Sequence, residues 1–434
     1  MVLFVRCNHY FASMKRTILF LICLCISFGS WGQELQRYYS EAMAAYKNKN
    51  FAEFYAKIKE ANKIHPYHQG VLYQAGLAAA LTNKKAEAID FLRQAILIDA
   101  SFRLEGVADF QAIKDSKEFK ELLNLQKQWQ EPVIHSAVAF TLKDRSLHTE
   151  GIDYDAVHKT FYLGSIHKRK IVKVAADGTA SDFCASGLEG MTSIFGLKID
   201  ARKNVLWACA SPMEEMENYD STTTSAVYKF DLVSGKLLQK FLPGIGLKKG
   251  VYGDLILDRK GKVYITDSQN NDILTVNEKS GHVESFFSSP EFWNIQGITF
   301  SADEKYLFIA DYVKGVFRLD MQSKVLTEVA AKVEASVKGI DGIYFYNNSL
   351  IAIQNGVTPL RCVRYFLNKD FSELTKFEII DRKHPNFNEP TLGVIYGKEF
   401  YYIANSQWGG YDRKHHIKPD DQLQDIVVLK YSLQ

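Results

Sequence analysis

Apolar residues follow three successive rhythms along the chain. The first is an unbroken run from Thr17 to Ser27, preceded by Lys15 and Arg16 and followed by the small-residue stretch Ser30-Trp31-Gly32. From Leu35 to about Leu125 the apolar positions recur at a helical period, in a segment rich in Ala, Leu, Lys and Glu with few β-branched residues. After Ser136 the period shortens to that of strands, and short β-branched and aromatic runs alternate with Gly, Asp and Asn turns.

The first run is too short to span a bilayer, which takes ~20 apolar residues, but it suits a secretory signal with cleavage near Gln33. The expectation is an upstream start plus signal peptide over 1–32 and an exported mature chain, periplasmic or extracellular, without a transmembrane segment. Removal of Arg6, Lys15 and Arg16 with that signal lowers the 53 basic residues to equality with the 50 acidic ones. A formally neutral chain without a basic, aromatic-interleaved cluster argues against nucleic acid as a partner. Of six cysteines, Cys184, Cys209 and Cys362 lie beyond the signal. Their wide spacing forms no metal-binding pattern; buried strand cysteines are expected, with a Cys184–Cys209 bridge open in an oxidising compartment.

In the helical segment, Tyr46, Phe54, Ala61 and Pro66 are echoed by Leu81, Ile89, Ala95 and Ala100, an offset of about 34 residues. Ala42, Ala45, Gly76 and Ala79 supply the small side chains that paired helices need, and Asn48 to Asn50 and Thr82 to Lys84 supply turns. The segment resembles a pair of tetratricopeptide repeats with a further helix at Lys117 to Gln128. We expect an all-α tetratricopeptide-like domain over 33–128, serving either as a docking groove for a protein partner or as a structural cap, and a linker over 129–135 that holds Pro132.

The strand-rich part repeats one pattern six times: EGIDYD…FYLGS from Glu150, FGLKID…VLWAC from Phe195, GDLILD…VYITD from Gly253, QGITFS…LFIAD from Gln296, IDGIYF…LIAIQ from Ile340, and EPTLGVIY…FYYIA from Glu389. Copies about 43 to 58 residues apart are the size of one four-stranded propeller blade. The last copy lacks a fourth strand, and SAVAFTL at Ser136 precedes the first, so this segment is expected to complete the sixth blade and close the ring. The predicted fold is an all-β six-bladed β-propeller over 136–434, behind the helical domain.

From Glu150 onward the chain resembles the regucalcin and gluconolactonase-like (senescence marker protein) propellers, through EGIDYD at Glu150, LILDRKGKVYITDS at Leu255, QGITFSADEKYLFIAD at Gln296 and DGIYFYNNSLIAI at Asp341. The fold implied is again a six-bladed propeller. The activities implied range over lactonases, phosphotriesterases and lyase-like enzymes, and also proteins without known chemistry.

The residue that leads each first strand is expected to face the axis, which gathers Glu150, Phe195, Gly253-Asp254, Gln296, Asp341 and Glu389 at one mouth. Carboxylates so close raise one another's pKa unless a cation lies between them. Oxygen ligands without clustered thiolate or imidazole favour calcium or magnesium, with zinc less suited. The resemblance implies metal ligands at Glu150 and Asp341 with two Asn between; here Gln296 stands at one Asn position and Gly253, beside Asp254, at the other. The expected metal set is Glu150, Asp254, Gln296 and Asp341, with Asp341 as general base in hydrolysis of a lactone or related small ester. No GxSxG elbow points to a covalent route. Insertions at Ser211 to Thr224 and Gln407 to Gln424 overhang the same rim, and Phe195, Glu389, Trp408 and Tyr411 are the expected small-molecule contacts. The alternative is a non-catalytic ligand- or partner-binding propeller with a helical docking domain.

Overall fold

The computed structural model describes residues 26–175 and 178–434, with side chains from 32 onward. The apolar run and cleavage region assigned to a signal peptide therefore fall largely outside the described side chains. No described helix is long and apolar enough to cross a membrane.

The protein is mostly β, with propeller-like sheets, and begins with a helical region of five described α-helices: α1 (Ile26–Lys47), α2 (Phe51–Ile64), α3 (Gln69–Leu81), α4 (Lys85–Ile98) and α5 (Lys117–Gln130). Two of the helices start on side-chain caps. Asn50 caps α2 by accepting a hydrogen bond from the Glu53 backbone N–H, and His68 caps α3 by accepting from Val71. Gly76 of α3 packs closely on α4: a Cβ there would lie 2.6 Å from the Leu92 side chain, which would have to shift to admit it.

The described residues divide into two compact units: 26–92 with 106–119, and 93–105 with 120–434. The segment expected as a linker contributes a short strand, Val133–Ile134, which pairs antiparallel with Glu373–Arg382. Trp129, just before it, stacks on Phe377 at 5.8 Å between ring centroids.

The described strands of the second unit form five sheets. Three have four strands, one has six, and one has eight, the last being two antiparallel sets joined by a parallel pairing of Leu242–Pro243 with His282–Val283. Ala137–Leu142 pairs with Ile426–Ser432, so the last strand shares a sheet with one that precedes the first inner strand. The strands Thr149–Asp155, Ser193–Asp200, Tyr252–Leu257, Ile295–Phe300, Ile340–Tyr346 and Gly393–Tyr396 each pack against the next, and the last packs back on the first.

These inner strands share one irregularity. In the first five, the pairing with the following strand slips between Thr149 and Ile152, Ile194 and Leu197, Tyr252 and Leu255, Ile295 and Ile298, and Ile340 and Ile343. Such a bulge bends the strand and re-aims a side chain. The two residues inside each bulge are Glu150-Gly151, Phe195-Gly196, Gly253-Asp254, Gln296-Gly297 and Asp341-Gly342.

The glycines answer a close approach. A Cβ on Gly151 would stand 1.9 Å from the Phe195 carbonyl oxygen, on Gly196 2.9 Å from the Asp254 Cα, and on Gly297 2.5 Å from the Asp341 carbonyl oxygen. The backbones of successive inner strands thus touch at these points. A Cβ on Gly342 would lie 3.1 Å from the carbonyl oxygen of Thr391, so the sixth residue of this series is Thr391 rather than Glu389.

Candidate functional site

Five leading residues of the inner strands, Glu150, Phe195, Gly253, Gln296 and Asp341, converge on a cavity of about 270 Å³ that is also lined by Asp254, Glu389, Trp408, Tyr312, Asn355, Val251, Ser268 and Leu392. Of the residues singled out from the sequence, only Tyr411 does not line it. Among the described lining residues none is Lys or Arg.

Glu150 and Asp341 are joined through a third side chain. The Thr391 hydroxyl lies within hydrogen-bonding distance of Glu150 Oε2 and at 2.8 Å from Asp341 Oδ2. A hydroxyl has one proton to donate. Two ionised carboxylates cannot both accept it, so without a cation the second contact is a hydrogen bond only when that carboxyl carries its own proton. Burial raises the pKa of both groups, and at Glu150 the charge of Asp341 adds to it.

Further donors fix each carboxyl. The Trp408 indole Nε1–H donates to Glu150 Oε1, and Asn355 Nδ2 donates to Asp341 Oδ2 at 2.8 Å. Asn355 is held in turn by the Tyr312 hydroxyl, which donates to its Oδ1 at 2.9 Å. Behind Trp408, the His148 ring meets the indole edge-on at 4.4 Å between centroids. His148 is almost fully buried; burial pushes its pKa down to about 3, so it is neutral.

Asp254 lines the cavity and is also engaged by the backbone. Its Oδ1 accepts the Leu255 backbone N–H at 2.8 Å, and its Oδ2 accepts that of Ile298 at 3.4 Å. It occupies the position that glycine holds in the other bulges, so its carboxylate ties neighbouring inner strands together. Asp153 makes a similar tie, accepting the Ile199 N–H at 2.6 Å. Burial raises the pKa of Asp254, and the positive charge of Lys198 partly offsets it.

Gly253 leaves open space at the leading position. The nearest atom to a Cβ built there is Gln296 Oε1, at 3.7 Å. Gln296 Nε2 donates to Asn294 Oδ1, which turns the amide oxygen the other way. Glu389, with a left-handed φ of 62°, carries a buried Oε2 without a hydrogen-bond partner, and burial raises its pKa. Two converging carboxyls, an amide oxygen and an orphaned carboxyl oxygen are ligands of the hard type that calcium or magnesium takes. No group of three or more His, Cys, Asp or Glu among the described residues stands close enough to hold a metal ion.

The two insertions contact each other, and Trp408 of the second lines the cavity. His415 Nε2 is 2.7 Å from Glu214 Oε2, and its Nδ1 is 2.7 Å from Glu215 Oε1. Tyr411 stands outside the cavity wall, with its hydroxyl 2.7 Å from His148 Nδ1. It therefore supports Trp408 through His148 instead of facing the cavity. Cys184, Cys209 and Cys362 are buried and free, so the bridge left open between Cys184 and Cys209 is not formed.

No protein-family model matches the chain, and no curated protein matches it. Among solved structures the chain is similar to regucalcin, a calcium-binding protein from Agrobacterium tumefaciens, with a TM-score of 0.48 and 16% identity over 70% of this chain and 96% of that one. It is similar to a gluconolactonase from Xanthomonas campestris, with a TM-score of 0.47 and 13% identity over 67% of this chain and 88% of that one. It is also similar to virginiamycin B lyase from Staphylococcus aureus, with a TM-score of 0.45 and 14% identity over 70% of this chain and all of that one.

Proposed function

We propose that this protein is an exported, divalent-cation-assisted hydrolase of a lactone or related small ester. In this reading it is a six-bladed propeller behind a pair of tetratricopeptide-like repeats. The observation that carries the activity is the convergence of Glu150, Asp341, Glu389 and Gln296 on one cavity without a basic side chain in its wall. Six blades are supported by the closed series of inner strands and by the brief parallel junction in the eight-stranded sheet. The repeat reading is supported by the starts of α2 at Phe51 and α4 at Lys85, about one repeat length apart.

Glu150, Asp341 and the Gln296 amide oxygen would hold the cation; calcium or magnesium suits this set better than zinc. Bound there, a cation polarises a carbonyl and lowers the pKa of a coordinated water. Asp341 is the general base: Thr391 and Asn355 both engage its Oδ2, which leaves Oδ1 to take the proton of the attacking water. Trp408 and Thr391 orient Glu150, and Phe195 and Trp408 exclude water from one side of the cavity.

The test is elemental analysis of the purified protein, then turnover of a lactone panel with and without calcium by wild type and Asp341→Ala. Calcium-dependent turnover lost in the variant supports the proposal; equal turnover by both removes it. A second reading, a ligand-binding propeller without chemistry whose helical domain docks a protein, is favoured by the engagement of Asp254 with backbone amides, which removes one carboxylate from the expected set. Ligand binding with no turnover of any ester would select it.

A further inference from the structure

The lining of the cavity has two unlike parts. Glu150, Asp341, Glu389 and Asn355 give it an acidic, hydrogen-bonding part, while Phe195, Val251 and Trp408, which pack in one apolar cluster, give it an apolar one. Phe195 and Trp408 are stacked, with 6.5 Å between ring centroids and planes 25° apart, and Val251 packs into the same apolar cluster. Phe195 is the one aromatic among the six leading residues, and its direction is fixed by the bulge between Ile194 and Leu197. Trp408 is fixed by its bond to Glu150 and by the His148 ring. The apolar wall is therefore rigid, and the absent side chain at Gly253 opens the space beside it.

Resting on the hydrolase reading, we infer that the substrate is an uncharged lactone or ester whose non-reacting part is a flat apolar ring, with neither a polyol chain nor an acid group. Three observations carry this. A ligand carboxylate or phosphate would meet four carboxyl side chains and no compensating cationic side chain in the described lining. On the apolar part, the hydroxyls of a sugar-like lactone would face Phe195, Val251 and Trp408, and a hydroxyl buried against such a wall loses its hydrogen bonds to water without replacement. A planar ring is matched by the stacked pair. The size sets a limit: about 270 Å³ lies just below the usual lower bound of about 300 Å³ for ligand pockets, which confines the occupant to a small molecule.

The experiment compares dihydrocoumarin, a carboxylated dihydrocoumarin, glucono-δ-lactone and γ-butyrolactone on the full chain with calcium, by turnover and by titration calorimetry. Wild type is expected to favour dihydrocoumarin over glucono-δ-lactone by about tenfold or more in kcat/KM, and to reject the carboxylated form. Phe195→Ala should lower kcat/KM for dihydrocoumarin, mainly through KM, by about tenfold more than for γ-butyrolactone. Phe195→Leu, which keeps apolar volume, controls for folding, with the melting temperature recorded for each protein. Preference for glucono-δ-lactone, or equal losses on both lactones in Phe195→Ala, overturns the inference. If nothing is hydrolysed the hydrolase reading fails, and calorimetry decides the ligand class separately: saturable binding of dihydrocoumarin but not of glucono-δ-lactone upholds an apolar ring ligand, and the reverse refutes it.

Discussion

Glu150 and Asp341 meet on one side-chain oxygen, the hydroxyl of Thr391. Replacing it with the isosteric Thr391→Val removes that oxygen from between two buried carboxyls. The expected loss is about 1–3 kcal/mol of unfolding free energy in metal-free protein, the range for stranding a buried polar group. Urea unfolding in chelator measures it; an unchanged midpoint would show that the hydroxyl does not join the two groups.

The pH dependence follows from the same pair. Both pKa values lie above their ordinary range because burial penalises the charged forms. The folded protein then binds more protons than the unfolded chain, so stability is greatest at low pH within this window and falls as pH rises above about 4. Metal-free protein should melt at progressively lower temperature from about pH 5 to about pH 8, and saturating calcium should flatten that slope. A melting temperature that rises over this range in chelator would contradict the buried-pair assignment.

Asp254 and Asp341 should separate in their response to cation. Asp341→Asn is expected to abolish the calcium-induced rise in melting temperature. Asp254→Asn should keep that rise and instead lower stability by about 1–3 kcal/mol through weakened ties to Leu255 and Ile298. Thermal shifts with and without calcium distinguish these results, and loss of the calcium response in Asp254→Asn would restore that residue to the ligand set.

Two glycine substitutions should differ sharply. Gly151→Ala drives a Cβ to 1.9 Å from the Phe195 carbonyl oxygen and forces inner strands apart, at a cost of about 1–3 kcal/mol or more. Gly253→Ala meets nothing nearer than 3.7 Å and is expected to fold with near-native stability while narrowing the cavity. Comparable destabilisation of both would mean that close strand contact is not the reason for Gly151.

Much of this arrangement was legible in the sequence because the bulge leaves a trace: a chemically varied residue followed by glycine, at the head of an apolar strand. Glu150, Phe195, Gln296 and Asp341 carry that trace and reach the cavity. In the third copy the order is Gly253-Asp254, which sets the carboxylate at the position of the glycines, one residue past the leading place. In the sixth copy Thr391 is followed by Leu392, with no glycine to mark it, and the acidic residue the sequence offers is Glu389, two positions earlier. Glu389 also lines the cavity, but from outside the series. Asn355, Tyr312 and His148 left no repeated signal, because their roles depend on contacts between distant parts of the chain. Tyr411 carried the composition of a ligand contact, yet its hydroxyl is directed at His148.

The bulges have a consequence for how such a molecule can change. Backbone geometry aims each leading side chain, and the neighbouring glycine, where present, absorbs the tight fit, so neither task falls on the side chain itself. Those positions behave as sockets of fixed direction. A phenylalanine, a carboxylic acid, an amide or nothing at all can be plugged in while the surrounding architecture stays assembled, which lets one scaffold exchange its chemistry one socket at a time.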